Sequence, residues 1–279
     1  MHELICTDET FDPNFTIEYK LSIQVGLDGF SFCIQDNIRK KYLVFKHFPF
    51  RLSNPLFLSR KINEIFEREK ILSLKYKEVK ILIESPYFSA IPNAPEFEQN
   101  PEVYLRQNFN IPSDSEFQTF KNDFFDCSII FSYSKQLNST FEDKFEKYIL
   151  THQIQSAFKT ISLNNYKNGI HAFINATSQY YNLLIFENKR LLFLNSFKYK
   201  NEQDFLYFLL TTLKSLSVYP GQLKVSISGH VNEQSAIHKL LEQHIVDVNF
   251  IKFNSSFQYS YTFEKFPQHQ FASIINPEG

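Results

Sequence analysis

Glycine is scarce in this chain. Six glycines among 279 residues leave few places where backbone can wrap closely around a phosphate, because only glycine takes up such dihedrals without steric cost. Tryptophan is absent, and cysteine occurs three times, as Cys6, Cys33 and Cys127. An odd, widely spaced set with no CxxC pair argues against a disulfide framework and a thiolate zinc site, and fits reduced thiols. No apolar run approaches the ~20 residues needed to cross a bilayer. The opening stretch carries Glu3, Asp8, Glu9 and Asp12 and lacks an apolar core, so it does not read as a signal peptide. The expectation is a cytoplasmic protein with no transmembrane segment. Charge of one sign is also lacking. A formal net charge of −1 gives no field that gathers nucleic acid or an acidic membrane, so no nucleic-acid partner is expected.

What the chain has is apolar surface. Hydrophobic residues make up 43%, with 32 Phe and 15 Tyr, while 21% are charged. That supports a substantial core and lies outside the composition of a disordered chain. The length exceeds one typical domain of about 100–150 residues and points to two.

Patterning gives the two halves the same order. In the first, Ile17, Tyr19, Leu21, Ile23 and Val25 alternate with polar residues and predict a strand. Gly26-Leu27-Asp28-Gly29 reads as a hairpin turn, with Asp28 and Gly29 as turn formers. Phe30, Phe32 and Ile34 predict a second strand and Leu43 to Phe48 a third. Asn54-Pro55 reads as a helix start, followed by Leu58, Ile62, Ile65 and Phe66 on one helix face. Val79 to Ile83 predicts a fourth strand. Pro92, Pro95 and Pro101 predict irregular chain. Cys127 to Phe131 reads as a strand. Ser139-x-x-Glu142 reads as a capping box, with Phe141, Phe145, Tyr148 and Ile149 on the helix behind it. In the second half, His171 to Ala176, Tyr181 to Phe186 and Leu191 to Leu194 predict three strands. Asn201-x-x-Asp204 caps a helix from Phe205 to Leu216 whose apolar residues leave little polar face, so burial all round is expected. Leu223 to Ile227 predicts a strand, Asn232 a helix start, and Ile245 to Ile251 a last strand.

Three antiparallel strands, a helix and a parallel strand form the ribonuclease H-like pattern. Two copies in tandem, residues 14–150 and 151–279, give an α/β protein with the actin-like ATPase architecture. The alternative is a pair of unrelated α/β domains. The chain also resembles a family of uncharacterised bacterial proteins catalogued as domain of unknown function 3822. The resemblance rests on Leu21-Ser22-Ile23-Gln24-Val25, Asp28-Gly29-Phe30-Ser31-Phe32, Ile91-Pro92, Tyr104-Leu105 with Asn108-Phe109, the stretch from Tyr181 to Leu194, and His269-x-Phe271. It implies an actin-like ATPase fold and no known activity.

That fold implies a nucleotide site built from two phosphate loops and an adenosine element, in which backbone amides and a metal ion offset phosphate charge. The matching positions here are Gln24, Gly26, Asp28 and Gly29 in the first loop, Asn175 and Thr177 in the second (Asn175-Ala176-Thr177-Ser178), and Gly229 and His230 in Ser228-Gly229-His230. Gln24 stands where a carboxylate is expected and is a poor Mg²⁺ ligand. It argues equally against a two-metal nuclease. The second loop lacks both carboxylate and glycine. ATP with Mg²⁺ is thus the cofactor the fold implies, and the residues argue against it; no other cofactor, catalytic residue or metal site is expected. His238 and His244 are six apart and do not share a helix face as paired ligands would. Arg39-Lys40-Lys41 reads as a solvated turn. There is no GxSxG elbow and no GxxxxGK[ST] loop.

The sequence therefore favours a non-catalytic interaction or adaptor module with an unidentified protein partner. The alternatives are a divergent ATP-binding protein or ATPase, and a small-ligand binder, both using the interdomain cleft. Two or more carboxylates converging on that cleft would favour the ATPase, and Asp28 is the one candidate the sequence offers.

Overall fold

The alternation that starts at Ile17 becomes a strand only at Lys20. In the computed structural model, which describes residues 2–93, 100–164, 166, 169–252 and 256–275, Asp12 and Pro13 start a 3-10 turn over Pro13–Glu18, and Ile17 is exposed. Proline presets φ and the Asp12 side chain accepts from the Asn14 amide, so local capping overrides the two-residue period. An edge strand, β1 (Leu4–Thr7), precedes this turn. Then β2 (Lys20–Gly26), β3 (Gly29–Asp36) and β4 (Lys41–Pro49) form an antiparallel meander. Asn54 caps a short 3-10 turn that runs into α1 (Leu58–Arg68), which buries Ile62, Ile65 and Phe66 as expected. The chain returns as β5 (Glu78–Ile83), parallel to β2.

An insertion follows. It comprises β6 (Phe88–Pro92), α2 (Pro101–Asn108), β7 (Ser115–Asn122), β8 (Cys127–Ser134) and α3 (Lys135–Glu142), with the three strands in a separate sheet ordered β6-β8-β7. Two expectations change here. The proline-rich stretch contributes β6 and α2, Pro101 serving as the first helical residue; Pro95 lies outside the described residues. Ser139 does not cap a helix. The helix begins at Lys135, directly after β8, and the Ser139 carbonyl accepts from the Asp143 amide at its far end. Ile149 belongs to β9 (Ile149–His152), parallel to β5.

After α4 (Ile154–Asn164) the pattern repeats as β10 (Ile170–Ala176), β11 (Tyr180–Glu187), β12 (Arg190–Lys198), α5 (Glu202–Ser215), β13 (Leu223–Gly229), α6 (Ala236–Glu242) and β14 (Asp247–Phe250). Asn201 accepts from the Asp204 amide at the start of α5. That helix buries one face, through Phe205, Leu209, Thr212 and Leu213, while Tyr207 is exposed, so it is not buried all round. Ser235, not Asn232, caps α6. The final strand starts at Asp247, because Ile245 bonds back to Leu241 at the helix end. The chain closes with β15 (Gln258–Tyr259) and α7 (Ala272–Ile275).

The large sheets are ordered β1-β4-β3-β2-β5-β9, with β15 also paired to β4, and β12-β11-β10-β13-β14. The five shared strands therefore match one for one: β4-β3-β2-β5-β9 against β12-β11-β10-β13-β14. In each set two antiparallel pairings are followed by two parallel ones. This is the duplicated ribonuclease H-like arrangement of an actin-like fold. The two large sheets meet in one core with α4, whose Ile154, Phe158 and Ile161 cluster with Ile23 and Phe32 of the first sheet and with Phe173, Leu184 and Phe186 of the second.

The closing segment, expected within the second half, lies on the first sheet. Phe263, Phe266, Phe271, Ile274 and Ile275 cluster there with Cys6, Cys33, Tyr42 and Phe45. Phe45 stacks on Phe266 at 4.9 Å and meets Phe271 at 4.8 Å. Full burial of each such ring is worth about 1.5–3 kcal/mol. Tyr42 donates to the Ile275 carbonyl and fixes the end of the segment.

Candidate functional site

The duplication brings two equivalent turns together. Leu27 and Asp28 join β2 to β3, and Thr177, Ser178 and Gln179 join β10 to β11. Asp28 does not spend its carboxylate on its own turn, as its Asp-Gly context implied. Its Oδ2 accepts from the Ser178 amide at 2.8 Å and its Oδ1 from the Ser178 hydroxyl at 2.7 Å. Thr177 makes the second turn rigid: its hydroxyl donates to the Tyr180 carbonyl and accepts from the Gln179 and Tyr180 amides. Thr177 is buried in that role and does not line the cleft.

Gln24 is held from two sides. Its Nε2 donates to Glu84 Oε2 at 2.9 Å, and its Oε1 accepts from the Ser273 hydroxyl at 2.6 Å. Asn175 donates to Gln153 Oε1 at 3.0 Å and accepts from the Ser228 hydroxyl at 2.9 Å. The glycines serve packing. A side chain on Gly26 would meet Glu84 at 2.9 Å, and one on Gly29 would meet His47 at 2.8 Å. Gly229 has φ +85°, and a Cβ there would lie 2.0 Å from the Ala176 carbonyl oxygen. That close approach lets the His230 amide donate to Ala176 at 2.7 Å, while the His230 ring sits 3.9 Å from Asp28.

Gln24, Asp28, Gly29, Asn175, Gly229 and His230 thus surround one cavity, with Gly26 beside it. The space left for solvent is about 20 Å³, room for a single water. Sequence reasoning missed the rest of its wall: Ser31, His47, Glu84, Gln270, Phe271 and Ser273. Glu84 carried a usable signal, since it follows a parallel strand's carboxyl end, where α/β sheets gather their ligands. Ser273 and Gln270 arrive with the closing segment and carry none.

Burial governs the electrostatics. Glu84 keeps some surface open to the cavity but is ringed by protein, and desolvation pushes its carboxyl up to about 7. The Gln24 hydrogen bond opposes that rise, and the charge of nearby Asp28 adds to it. Burial pushes His47 down to about 4, helped by the neighbouring His230. His230 is also lowered by burial, against the pull of Asp28. Below the cavity, His152 is fully buried and falls to about 4 for the same reason. Its Nδ1 accepts from the Ile154 amide, so Nε2 carries the proton and donates to the Ser85 carbonyl. The cavity therefore holds neutral histidines rather than cations.

Two carboxylates, Asp28 and Glu84, do converge here, yet each is already bonded to protein. Among the described residues no group of three or more His, Cys, Asp or Glu side chains could hold a metal ion, and no helix is long and apolar enough to cross a membrane. ATP with Mg²⁺ does not fit this arrangement. The Ser178 amide is given to Asp28, the position expected to organise a metal is Gln24, and the remaining volume is that of one water.

Comparison with known proteins supports the fold. A Bacteroides thetaiotaomicron protein with actin-like ATPase fold and unknown function aligns at 22% identity and a TM-score of 0.80, covering 87% of this chain and 94% of that one. A chain of a PilM–PilN type IV pilus biogenesis complex aligns at 8% identity and a TM-score of 0.62, covering 94% of this chain and 97% of that one. No curated protein matches. With residues 8–248 matching the family's sequence profile, the chain belongs to the family described as Protein of unknown function (DUF3822).

Proposed function

We propose that this chain is a non-catalytic protein-interaction or adaptor module of the cytoplasm, built on an actin-like scaffold whose nucleotide cleft is filled from within. One observation carries the reading. The groups that would face a nucleotide bond to one another across the cleft, and the closing segment supplies Gln270, Phe271 and Ser273 to what remains of the space. An enzyme needs its polar groups free for the transition state, whereas here Asp28, Gln24, Glu84 and Asn175 are bonded to other protein groups, Asp28 across the two halves. The PilM–PilN structure, itself a complex, supports the idea that this scaffold can work by association.

The test is steady-state ATP hydrolysis by the purified chain with Mg²⁺, where the reading expects a rate indistinguishable from buffer. The second reading is a divergent ATP-binding protein or ATPase that opens the cleft. It draws on Glu84, which joins Asp28 as the second carboxylate that the sequence did not reveal. A Mg²⁺-dependent rate lost in Glu84→Gln and Asp28→Asn would establish that reading over the first.

A further inference from the structure

The contact between the two turns joins residues 150 positions apart in the chain. We propose that Asp28 is an intramolecular latch, whose carboxylate holds the second half's β10–β11 turn against the first half and keeps the cleft closed. This rests on the reading of the cleft as a closed, nucleotide-free space.

Three features of the geometry favour a latch over incidental packing. First, one carboxylate takes both donors of one residue, the Ser178 amide at 2.8 Å and hydroxyl at 2.7 Å. Hydrogen bonds to an ionised group are about twice as strong as neutral ones, and the paired geometry fixes direction. Second, the receiving turn is already made. Thr177 satisfies its own turn through Tyr180 and Gln179, and the Tyr199 hydroxyl donates to the Thr177 carbonyl. The Ser178 amide is left as a preset donor directed at the first half, so release of Asp28 opens the contact without unfolding the turn. Third, the neighbours give no equal substitute. Of the other bonds at the cleft floor, Gln24 with Ser273 and Asn175 with Gln153 are between neutral groups, and Gln24 with Glu84 lies within the first half. The His47 Nε2 is buried beside the cavity with no hydrogen-bond partner among the described residues, so loss of Asp28 leaves polar atoms that draw in water. The Asp28 carboxylate is thus the charged contact between the two turns, and a local event at it would govern access to the cleft.

Amide hydrogen exchange, resolved by residue on the full chain, tests this. Asp28→Ala is expected to speed exchange of the Ser178 amide by about tenfold or more, while amides in the centres of β3 and β11 keep wild-type protection. Asp28→Asn, which removes the charge, and Ser178→Ala, which removes the hydroxyl bond, should fall between, and they provide the same readout at the residue-178 amide if Asp28→Ala does not fold. Unchanged exchange of the residue-178 amide in Asp28→Ala, or in both milder variants, overturns the latch. So does acceleration shared equally by the β3 and β11 core, which would mark Asp28 as a general stability residue. Titrating wild type with Mg·ATP in parallel separates the two ideas: binding by wild type overturns the nucleotide-free reading, while the exchange data still decide the latch.

Discussion

Gly229 shows what the site glycines do. Its φ of +85° and the 2.0 Å approach of a hypothetical Cβ to Ala176 mean that any side chain strains the backbone and separates β13 from β10. Gly229→Ala is expected to lower stability by at least about 2 kcal/mol, read by chemical denaturation. A neutral result would remove its structural role and return it to ligand binding. Glu84 makes a prediction about pH. Its folded value of about 7 lies above the ordinary 4.5 of a glutamate, so its contribution is fully present below pH 4.5 and is lost as pH rises through 7. Relative to Glu84→Gln, wild type should therefore lose on the order of 2–3 kcal/mol between pH 4.5 and 8. A pH-independent difference between the two would show that Glu84 is not desolvated. His47 and His152 act with the opposite sign. Their folded values near 4 lie below 6.5, so their contribution is present above pH 6.5 and lost as pH falls through 4, predicting acid unfolding that His152→Asn shifts to lower pH. The fold expectation named Gln24, Asp28 and Gly229, and the structure gathers them around one cavity. Glu84 was passed over although its place after a parallel strand's carboxyl end was a usable signal, and the Asp28–Ser178 bond was invisible across 150 positions.

Among the elements, β2 was readable because one face is buried and period-two alternation reports that directly, and β3, β4, β10 and β11, buried along most of their length, were readable as short apolar-rich runs bounded by turns. Elements that are short or set by local capping were not. The Pro13–Glu18 turn overrode an alternating pattern, β9 holds four residues, and α3 starts without a side-chain cap. The closing segment was the largest omission. The sequence reading assigned it no element, yet its phenylalanines cover the face of the first sheet that carries Cys33 and Phe45. Phe271 ties that cover to the cavity, lining it while meeting the rings of Phe45 and His47 at 4.8 Å each. Phe271→Ala is expected to cost about 3–5 kcal/mol. It should also raise the rate at which a thiol reagent labels Cys33, whose thiol is buried and pushed up to about 12. Labelling as slow as in wild type would show that the segment does not protect this face.

At the scale of the whole molecule, two copies of one pattern close on each other. The turns that would cradle phosphate in each copy are spent on the partner copy instead. That is the central claim, and thermal melting of the full chain with millimolar ATP, ADP and GTP, with and without Mg²⁺, tests it most directly. A ligand that binds only the folded state at 100 times its dissociation constant adds about 2.7 kcal/mol, a rise of several degrees for a chain of this size. A filled cleft predicts unchanged melting in all six conditions. A saturable, nucleotide-specific rise of several degrees that Glu84→Gln abolishes would contradict it.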